Sequence, residues 1–264
     1  MWRHPTVMSL ETPVSLSSDA AAFLALHQPG TPGVFPTVWD PWSAQLAVDS
    51  GFVALTVGSH PVATALGRAD NEGMTLEEML EQVDLITAAV DVPVSADLES
   101  GYGASADRII DRLVAAGAVG LNIEDTVHSE GGRLRSTTEH AELIGRLRKA
   151  ADRHDVHVVI NARTDILLKG VGDPAGRVDA AIEKLRAAAD AGADVLYPVG
   201  VHDEETHRRL TSELPLPVNA IARPGIDDLT HLAGLGVARI SFGPHWQKAV
   251  GAAAAELLAP WRTA

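Results

Sequence analysis

Ala115-Ala116-Gly117-Ala118-Val119-Gly120-Leu121-Asn122-Ile123-Glu124-Asp125 reads as a helix that stops at a glycine and runs at once into a short strand ending in acids. A glycine can close a helix in the left-handed conformation, and the apolar run behind it suits a buried strand. The same join recurs at Asp49-Ser50-Gly51-Phe52-Val53, Asp190-Ala191-Gly192-Ala193-Asp194 and Ala233-Gly234-Leu235-Gly236-Val237. Working outward from these joins, strands are expected at 34–39, 52–57, 94–97, 120–124, 156–162, 195–198, 217–221 and 238–242. A helix follows each strand. The clearest, at 75–90, starts with Thr75 and Glu78 in a capping box and carries an apolar stripe of Leu76, Met79, Leu80, Val83, Ile86 and Val90. Eight such units over roughly 230 residues predict an α/β fold of the (β/α)8 TIM-barrel type. The expected organisation is one domain over 1–264, with 1–32 as a lead-in and a helix capped at Ser17-Ser18-Asp19. A doubly wound open sheet fits less well, because no glycine-rich dinucleotide turn follows the first strand.

The chain has 264 residues, 46% hydrophobic but only 4% aromatic, so its core is built from Ala, Val, Leu and Ile. A net charge of −14 argues against nucleic acid or an anionic membrane as partner. It leaves room for an anionic substrate, since a bound divalent cation reverses the local sign. With no cysteine, disulfides, thiolate metal sites and cysteine catalysis are excluded. No secretory signal and no apolar run of about 18 residues is visible, so a cytoplasmic protein is expected.

In a barrel, chemistry gathers at the C-terminal strand ends. Strand residues alternate sides, so Asp97 and Glu99 point the same way at the end of the third strand. Asn122 and Glu124 share a face on the fourth strand, and Asn161, Arg163 and Asp165 share one on the fifth. The second strand, with Thr56, leads into Gly58-Ser59-His60 and a loop reaching Asp70. The first ends in Trp39-Asp40, where Asp40 is expected to cap the next helix or to stand behind the site. Asn219 and Arg223 lie near the end of the seventh, and Gly243-Pro244-His245 at the eighth. Converging carboxylates are costly unless a cation or proton sits among them. Oxygen-only ligands suit Mg²⁺ or Mn²⁺, and an arginine beside them suits a substrate carboxylate or phosphonate.

Asp97-Leu98-Glu99-Ser100-Gly101-Tyr102-Gly103 resembles the D-x-D-x-G-Y-G loop of the isocitrate lyase/phosphoenolpyruvate mutase superfamily. Ile123-Glu124-Asp125 resembles its strand-four I-E-D, Ala162-Arg163-Thr164-Asp165 its strand-five A-R-T-D, and Leu66-Gly67-Arg68-Ala69-Asp70 its L-G-x-x-D. The resemblance implies a Mg²⁺-dependent enzyme, with Mn²⁺ as a substitute, that forms or breaks a C–C or C–P bond beside a 2-oxo acid through a metal-chelated pyruvyl enolate. It implies Asp97 as direct metal ligand, with Glu99, Glu124 and Asp70 holding metal-bound waters. Arg163 would bind substrate and enolate oxygen, and the backbone at Ser59 and His60 would cradle the carboxylate, with Thr56, Gly58 and Asn219 also facing the substrate. Relatives also imply a homo-oligomer, dimer or tetramer, in which exchange of the C-terminal helix is one option.

The departures bear on the reaction. The loop after strand four reads His128-Ser129-Glu130-Gly131-Gly132-Arg133-Leu134-Arg135, where isocitrate and methylisocitrate lyases carry a catalytic cysteine. Those two activities are therefore not expected, and His128 becomes the proton-transfer candidate. Arg133 and Arg135 read equally as groups that close over an anion and as surface residues. The expected function is Mg²⁺-dependent C–C cleavage of a small 2-oxo or 2-hydroxy acid. A C–P phosphonomutase or phosphonopyruvate-type hydrolase is the alternative, and a non-catalytic small-acid-binding barrel the second alternative.

Overall fold

The computed structural model describes residues 13–262. The lead-in expected over 1–12 lies outside the described residues. Eight parallel strands form a closed ring. Gly33–Phe35 pairs with Arg239–Ser241, which pairs with Asn219–Ile221. Thr37–Val38 pairs with Leu55–Val57, and the ladder continues through Val94–Asp97, Gly120–Glu124 and Val159–Thr164 to Val195–Pro198. A parallel bridge between Leu196 and Val218 joins that strand to Asn219–Ile221, and the ring is complete.

The first expected strand is thus two short pieces with different neighbours, divided at Pro36. Proline cannot donate to a ladder. Its carbonyl still accepts from Thr56 N at 3.1 Å, so one neighbour is kept while the chain changes direction. The fifth strand runs at Val159–Thr164, later than expected, which places Arg163 inside the ladder opposite Glu124 and Tyr197. Gly51, Gly117, Gly192 and Gly236 all have positive φ, as the helix-to-strand joins require.

The helix Leu76–Thr87 carries the expected Thr75/Glu78 capping box and buries Leu76, Met79, Leu80, Val83 and Ile86. Asp40 caps Pro41–Asp49 by accepting from Ser43 N. A short helix at Ser59–Leu66, absent from the expected pattern, precedes Leu76–Thr87. The first helix corrects the sequence reading. It runs Pro13–Ala25, so Ser17, Ser18 and Asp19 lie within it rather than capping it.

That helix closes the floor of the barrel. Phe23 is fully buried with its ring 4.9 Å from Phe35, and the guanidinium of Arg239 lies 5.6 and 5.2 Å from the two rings. Arg239 is itself fully buried, and burial draws it down to about 10. At the other end of the chain, His245–Leu258 buries no residue, and Leu257, Leu258 and Trp261 stand exposed. No helix among the described residues is long and apolar enough to cross a membrane.

Two buried histidines tie this packing to pH. Burial, with the charge of Arg239 adding to it, pushes His27 down to about 3. Burial pushes His140 down to about 4, and neither of its ring nitrogens has a hydrogen-bond partner among the described residues. Both are neutral in the folded chain, yet in the unfolded chain they take up a proton below their ordinary 6.5. Their contribution is complete above that value and is lost as pH falls toward the folded values, at about 1 kcal/mol per histidine per pH unit. Urea midpoints measured from about pH 7.5 down to about pH 5 should therefore fall. His140→Leu should hold or raise stability at neutral pH, because it removes a buried polar ring without a partner. It should also flatten the acid slope by about 1 kcal/mol per pH unit, and equal slopes in the two proteins would refute the account.

Candidate active site

The polar strand ends converge on a cavity of about 400 Å³. Its polar wall is made by Asp97, Glu99, Asn122, Glu124 and Arg163, with Ser59, His60, Asp70 and His128 around them. Arg163 organises the acids. Its Nη1 lies 2.8 Å from Glu124 Oε2 and 3.7 Å from Asp97 Oδ2, and its Nε lies 2.8 Å from Asp165 Oδ1. Burial opposes its charge, but the carboxylates of Glu124, Asp165 and Asp97 together push it well above the ordinary arginine value.

One guanidinium does not compensate every acid. Burial raises Asp97 despite the opposing charge of Arg163. Burial, reinforced by the charge of Asp97, pushes Glu99 up to about 8. Burial also raises Glu124. Such a set favours a proton or a cation among its oxygens.

His128 stands between two of these acids. Its Nε2 is 2.6 Å from Glu124 Oε1 and 3.6 Å from Glu99 Oε2, and the hydrogen bond with Glu124 raises its proton affinity. The loop that carries it is ordered as a small hairpin. Thr126–Val127 pairs antiparallel with Arg133–Leu134 around a 3₁₀ turn at His128–Glu130, with Gly131 and Gly132 both at positive φ.

The second strand leads into a helix start on the cavity wall. Ser59–Leu66 begins on the cavity wall with Gly58 as an N-cap that offers no side chain to its first turn. Unsatisfied N–H groups at a helix start favour an anion. A β-carbon at Gly58 would stand 2.4 Å from Thr37 Cγ2, so glycine is required for the close approach of these strands. Ser59 Oγ donates to Asp97 Oδ2 at 3.0 Å, and His60 Nδ1 lies 2.9 Å from Asp70 Oδ2. Thr56 Oγ1 is buried on the wall without a hydrogen-bond partner among the described residues. Asn219 does not line the cavity; its amide faces Ser241 Oγ at 3.5 Å, and Ser241 is the residue on the wall. Neither loop arginine does either. Arg133 pairs with Glu130 and Glu139, while Arg135 donates to the carbonyls of Glu124 and Ser100.

Several supporting residues escaped the sequence reading. Glu72 N donates to Glu99 Oε2 at 2.6 Å, and Glu72 Oε1 accepts from Ser100 Oγ at 2.5 Å and Tyr102 N at 2.7 Å. The Asp70 loop is thereby clasped to the Asp97 loop. Asn71, Glu72, Glu99 and Tyr102 are the non-glycine residues with positive φ among the described residues, and all four lie in this clasp. Backbone held in that region costs of order 1 kcal/mol per residue and persists only where surrounding contacts enforce it. Asn122 Oδ1 accepts from Asn161 Nδ2 at 2.8 Å and from Arg239 Nη2 at 3.2 Å. An arginine inside the apolar run 237–242 was the available signal for that second contact. Asp125 binds Thr164 Oγ1, Asp165 N and Lys184 Nζ, fixing the fourth strand to the fifth. Glu72→Ala should cost about 1–3 kcal/mol in urea unfolding and increase amide exchange at 99–103. Glu72→Gly should recover part of that loss by relieving the positive φ, and a Gly variant less stable than Ala would refute the strain argument.

The family model for phosphoenolpyruvate phosphomutase matches residues 23–260. An oxaloacetate decarboxylase from Chromohalobacter salexigens is 35% identical over 76% of this chain and 70% of its own. A Burkholderia cenocepacia J2315 protein, whose assignment as a phosphonomutase is provisional, superposes with a TM-score of 0.85 at 40% identity over 91% of this chain and 99% of its own. An oxaloacetate acetylhydrolase bound to its product oxalate superposes with a TM-score of 0.80 at 25% identity, covering 92% and 86% of the two chains. The motifs on strands three to five, the barrel and these likenesses agree: the chain belongs to the phosphoenolpyruvate phosphomutase family, within the isocitrate lyase/phosphoenolpyruvate mutase superfamily.

Proposed function

We propose that the chain is a Mg²⁺-dependent lyase that cleaves a C–C bond next to a small 2-oxo or 2-hydroxy acid unit, with the electrons of that bond passing to a pyruvyl-type enolate. The observation that carries this reading is the arrangement at Arg163, one guanidinium set among Asp97, Glu124 and Asp165 beside an open helix start. Among the described residues, no three acid or histidine side chains converge as a direct ligand set. The donors fit the cation in another form, with Asp97 as the direct ligand and Glu99, Glu124 and Asp70 reached through water, which Mg²⁺ retains readily. When bound, the cation supplies Lewis-acid stabilisation of negative charge on the substrate oxygen.

The chain's own groups do the rest. The N–H groups of Ser59 and His60 receive the substrate carboxylate at the helix start. Arg163 faces the oxygen that gains charge when the bond breaks, and its rigid contacts with Glu124 and Asp165 keep it aimed there without reorganisation. His128, with Nε2 on Glu124, holds a proton at the cavity wall and delivers it to the enolate carbon left by the departing group, and with a 2-hydroxy substrate the Glu124 carboxylate takes the hydroxyl proton as the bond breaks. The barrel wall limits access of bulk water to that carbon. The likeness to the Burkholderia protein supports C–P bond chemistry as a second reading, with a phosphonate in place of the departing carbon group. The exposed second half of the helix His245–Leu258, residues 251–258, supports assembly into a dimer or tetramer by exchange of that helix.

Oxalate, a mimic of the pyruvyl enolate, tests the reading. Calorimetry should show oxalate binding that depends on Mg²⁺. Asp97→Ala should abolish it while the thermal transition persists, and retained binding would overturn the role of Asp97. His128→Asn should leave oxalate affinity within about threefold and lower turnover by roughly 10²–10⁴. Unchanged turnover would remove His128 from proton transfer. Release of pyruvate or of phosphate from oxo acids and phosphonates separates the two readings.

A further inference from the structure

Arg239 is a fully buried cation beneath the cavity floor, and among the described residues no carboxylate forms an ion pair with it. Its Nη2 lies 3.2 Å from Asn122 Oδ1 and 3.4 Å from Ser95 Oγ, and its Nη1 lies 3.5 Å from His27 Nε2. The faces of Phe23 and Phe35 offset part of the cost of burial. Burial draws it down to about 10, so it still carries its charge at neutral pH. An uncompensated buried charge is costly and favours an anion within reach of its field. That field points toward the cavity, because the groups that favour the charge are Tyr197 and Asp97, both on the cavity wall.

Asn122 carries that polarity into the cavity. Arginine has donors and no acceptor, so the Asn122 atom that faces Arg239 is the oxygen. Asn161 Nδ2 donates to the same oxygen at 2.8 Å. Two donors on Oδ1 fix the side-chain amide and leave its NH₂ end over. Asn122 is only 5% exposed yet lines the cavity, and its Nδ2 makes no hydrogen bond among the described residues. Asp97, its neighbour across the ladder, accepts from Ser59 Oγ and Glu99 N instead. A buried donor without a partner costs free energy until an acceptor meets it. An amide polarised from behind by a cation is also the stronger donor in front. An N–H group seeks a lone pair and is no ligand for a cation, so this end of the amide stands apart from the metal-holding acids.

We propose that Asn122 is a ligand-binding residue on the cavity floor, donating from Nδ2 to a negatively charged oxygen of the bound oxo acid, and that Arg239 is the positioning residue behind it. This rests on the proposed function, which puts an oxo acid in this cavity, and it adds a second donor to Arg163. Arg163 is shared among Glu124, Asp165 and Asp97, whereas Asn122 Nδ2 is committed to no acid. Arg239 acts without touching the ligand. It holds Oδ1 away from the cavity, and its charge favours the anion in front. A neutral donor suits this place, since a lysine or arginine there would pair with Asp97 beside it and leave the ligand nothing.

Calorimetry with saturating Mg²⁺ and oxalate as the probe tests both roles. Asn122→Leu, which keeps the volume and removes the amide, should weaken oxalate binding at least about tenfold. Its affinity for Mg²⁺ alone should stay within about twofold, because the amide does not hold the cation, whereas a distortion around Asp97 would lower both. Arg239→Met should weaken oxalate as well, and the double variant should lose no more than Asn122→Leu alone, since Arg239 acts through Asn122. The double variant replaces a buried polar pair by apolar groups of similar size, so it carries the test where a single variant fails to fold. Oxalate affinity within about threefold of the unaltered chain in a folded Asn122 variant, or an equal fall in Mg²⁺ affinity, would overturn the role of Asn122. Additive losses would overturn that of Arg239, and either result leaves the proposed function standing. Absence of Mg²⁺-dependent oxalate binding in the unaltered chain would overturn the proposed function and this inference together.

Discussion

The repulsion among buried carboxylates at one mouth of the barrel is the constraint around which the site is built. Asp97, Glu99 and Glu124 are all held above their ordinary values by burial, and Arg163 is the permanent positive charge between them. A shared guanidinium lets the fold keep the acids close, yet leaves them short of positive charge. That shortfall is what makes the cavity receptive to a cation, and a fully neutralised cluster would have no such demand. Asp165 stabilises the arrangement from behind. It accepts from Arg163 Nε and from Thr126 Oγ1, so the guanidinium is fixed from the strand that carries it and from the loop opposite.

The remaining structure supports that geometry by interlocking loops. Glu72 clasps Ser100 and Tyr102, Arg135 bridges the carbonyls of Glu124 and Ser100, and Asp125 with Lys184 pins the fourth strand to the fifth. Backbone strain is concentrated at Asn71, Glu72, Glu99 and Tyr102, where the acids must be presented at fixed positions. On the opposite side, Phe23, Phe35 and His27 enclose Arg239, whose contact with Asn122 reaches the cavity wall from below. The N-terminal helix is thus linked to the site through a single buried arginine.

Much of this was legible in the residues. The helix-ending glycines and the capping boxes at Thr75 and Asp40 are local devices, and a local device acts within a few residues of sequence. Period-two alternation placed Asn122 with Glu124, because strand geometry imposes it wherever a strand forms; Glu99, at positive φ, and Asp165 lie just beyond the strands that end at Asp97 and Thr164, so loop geometry sets their positions. The first helix was misread for a related reason: Ser17-Ser18-Asp19 has capping chemistry, but the helix already runs through these residues and buries Ala20 and Phe23. The division of the first strand at Pro36 needed two different neighbours to become visible.

What the sequence determined by itself was the rhythm of eight strands and helices, the family motifs at three consecutive strand ends, and the absence of a cysteine where related lyases use one. What only the tertiary structure decided was which groups meet. Glu72 and Glu99 are far apart in sequence, as are Asn122 and Arg239, and no periodicity links them. Asn219 and Ser241 would both pass as wall residues by alternation, but the ring's closure turns Ser241 onto the cavity and leaves Asn219 behind it. Burial and charge are properties of the assembled ring, set by long-range packing, and a strand's own residues specify its two faces but not what stands across from them.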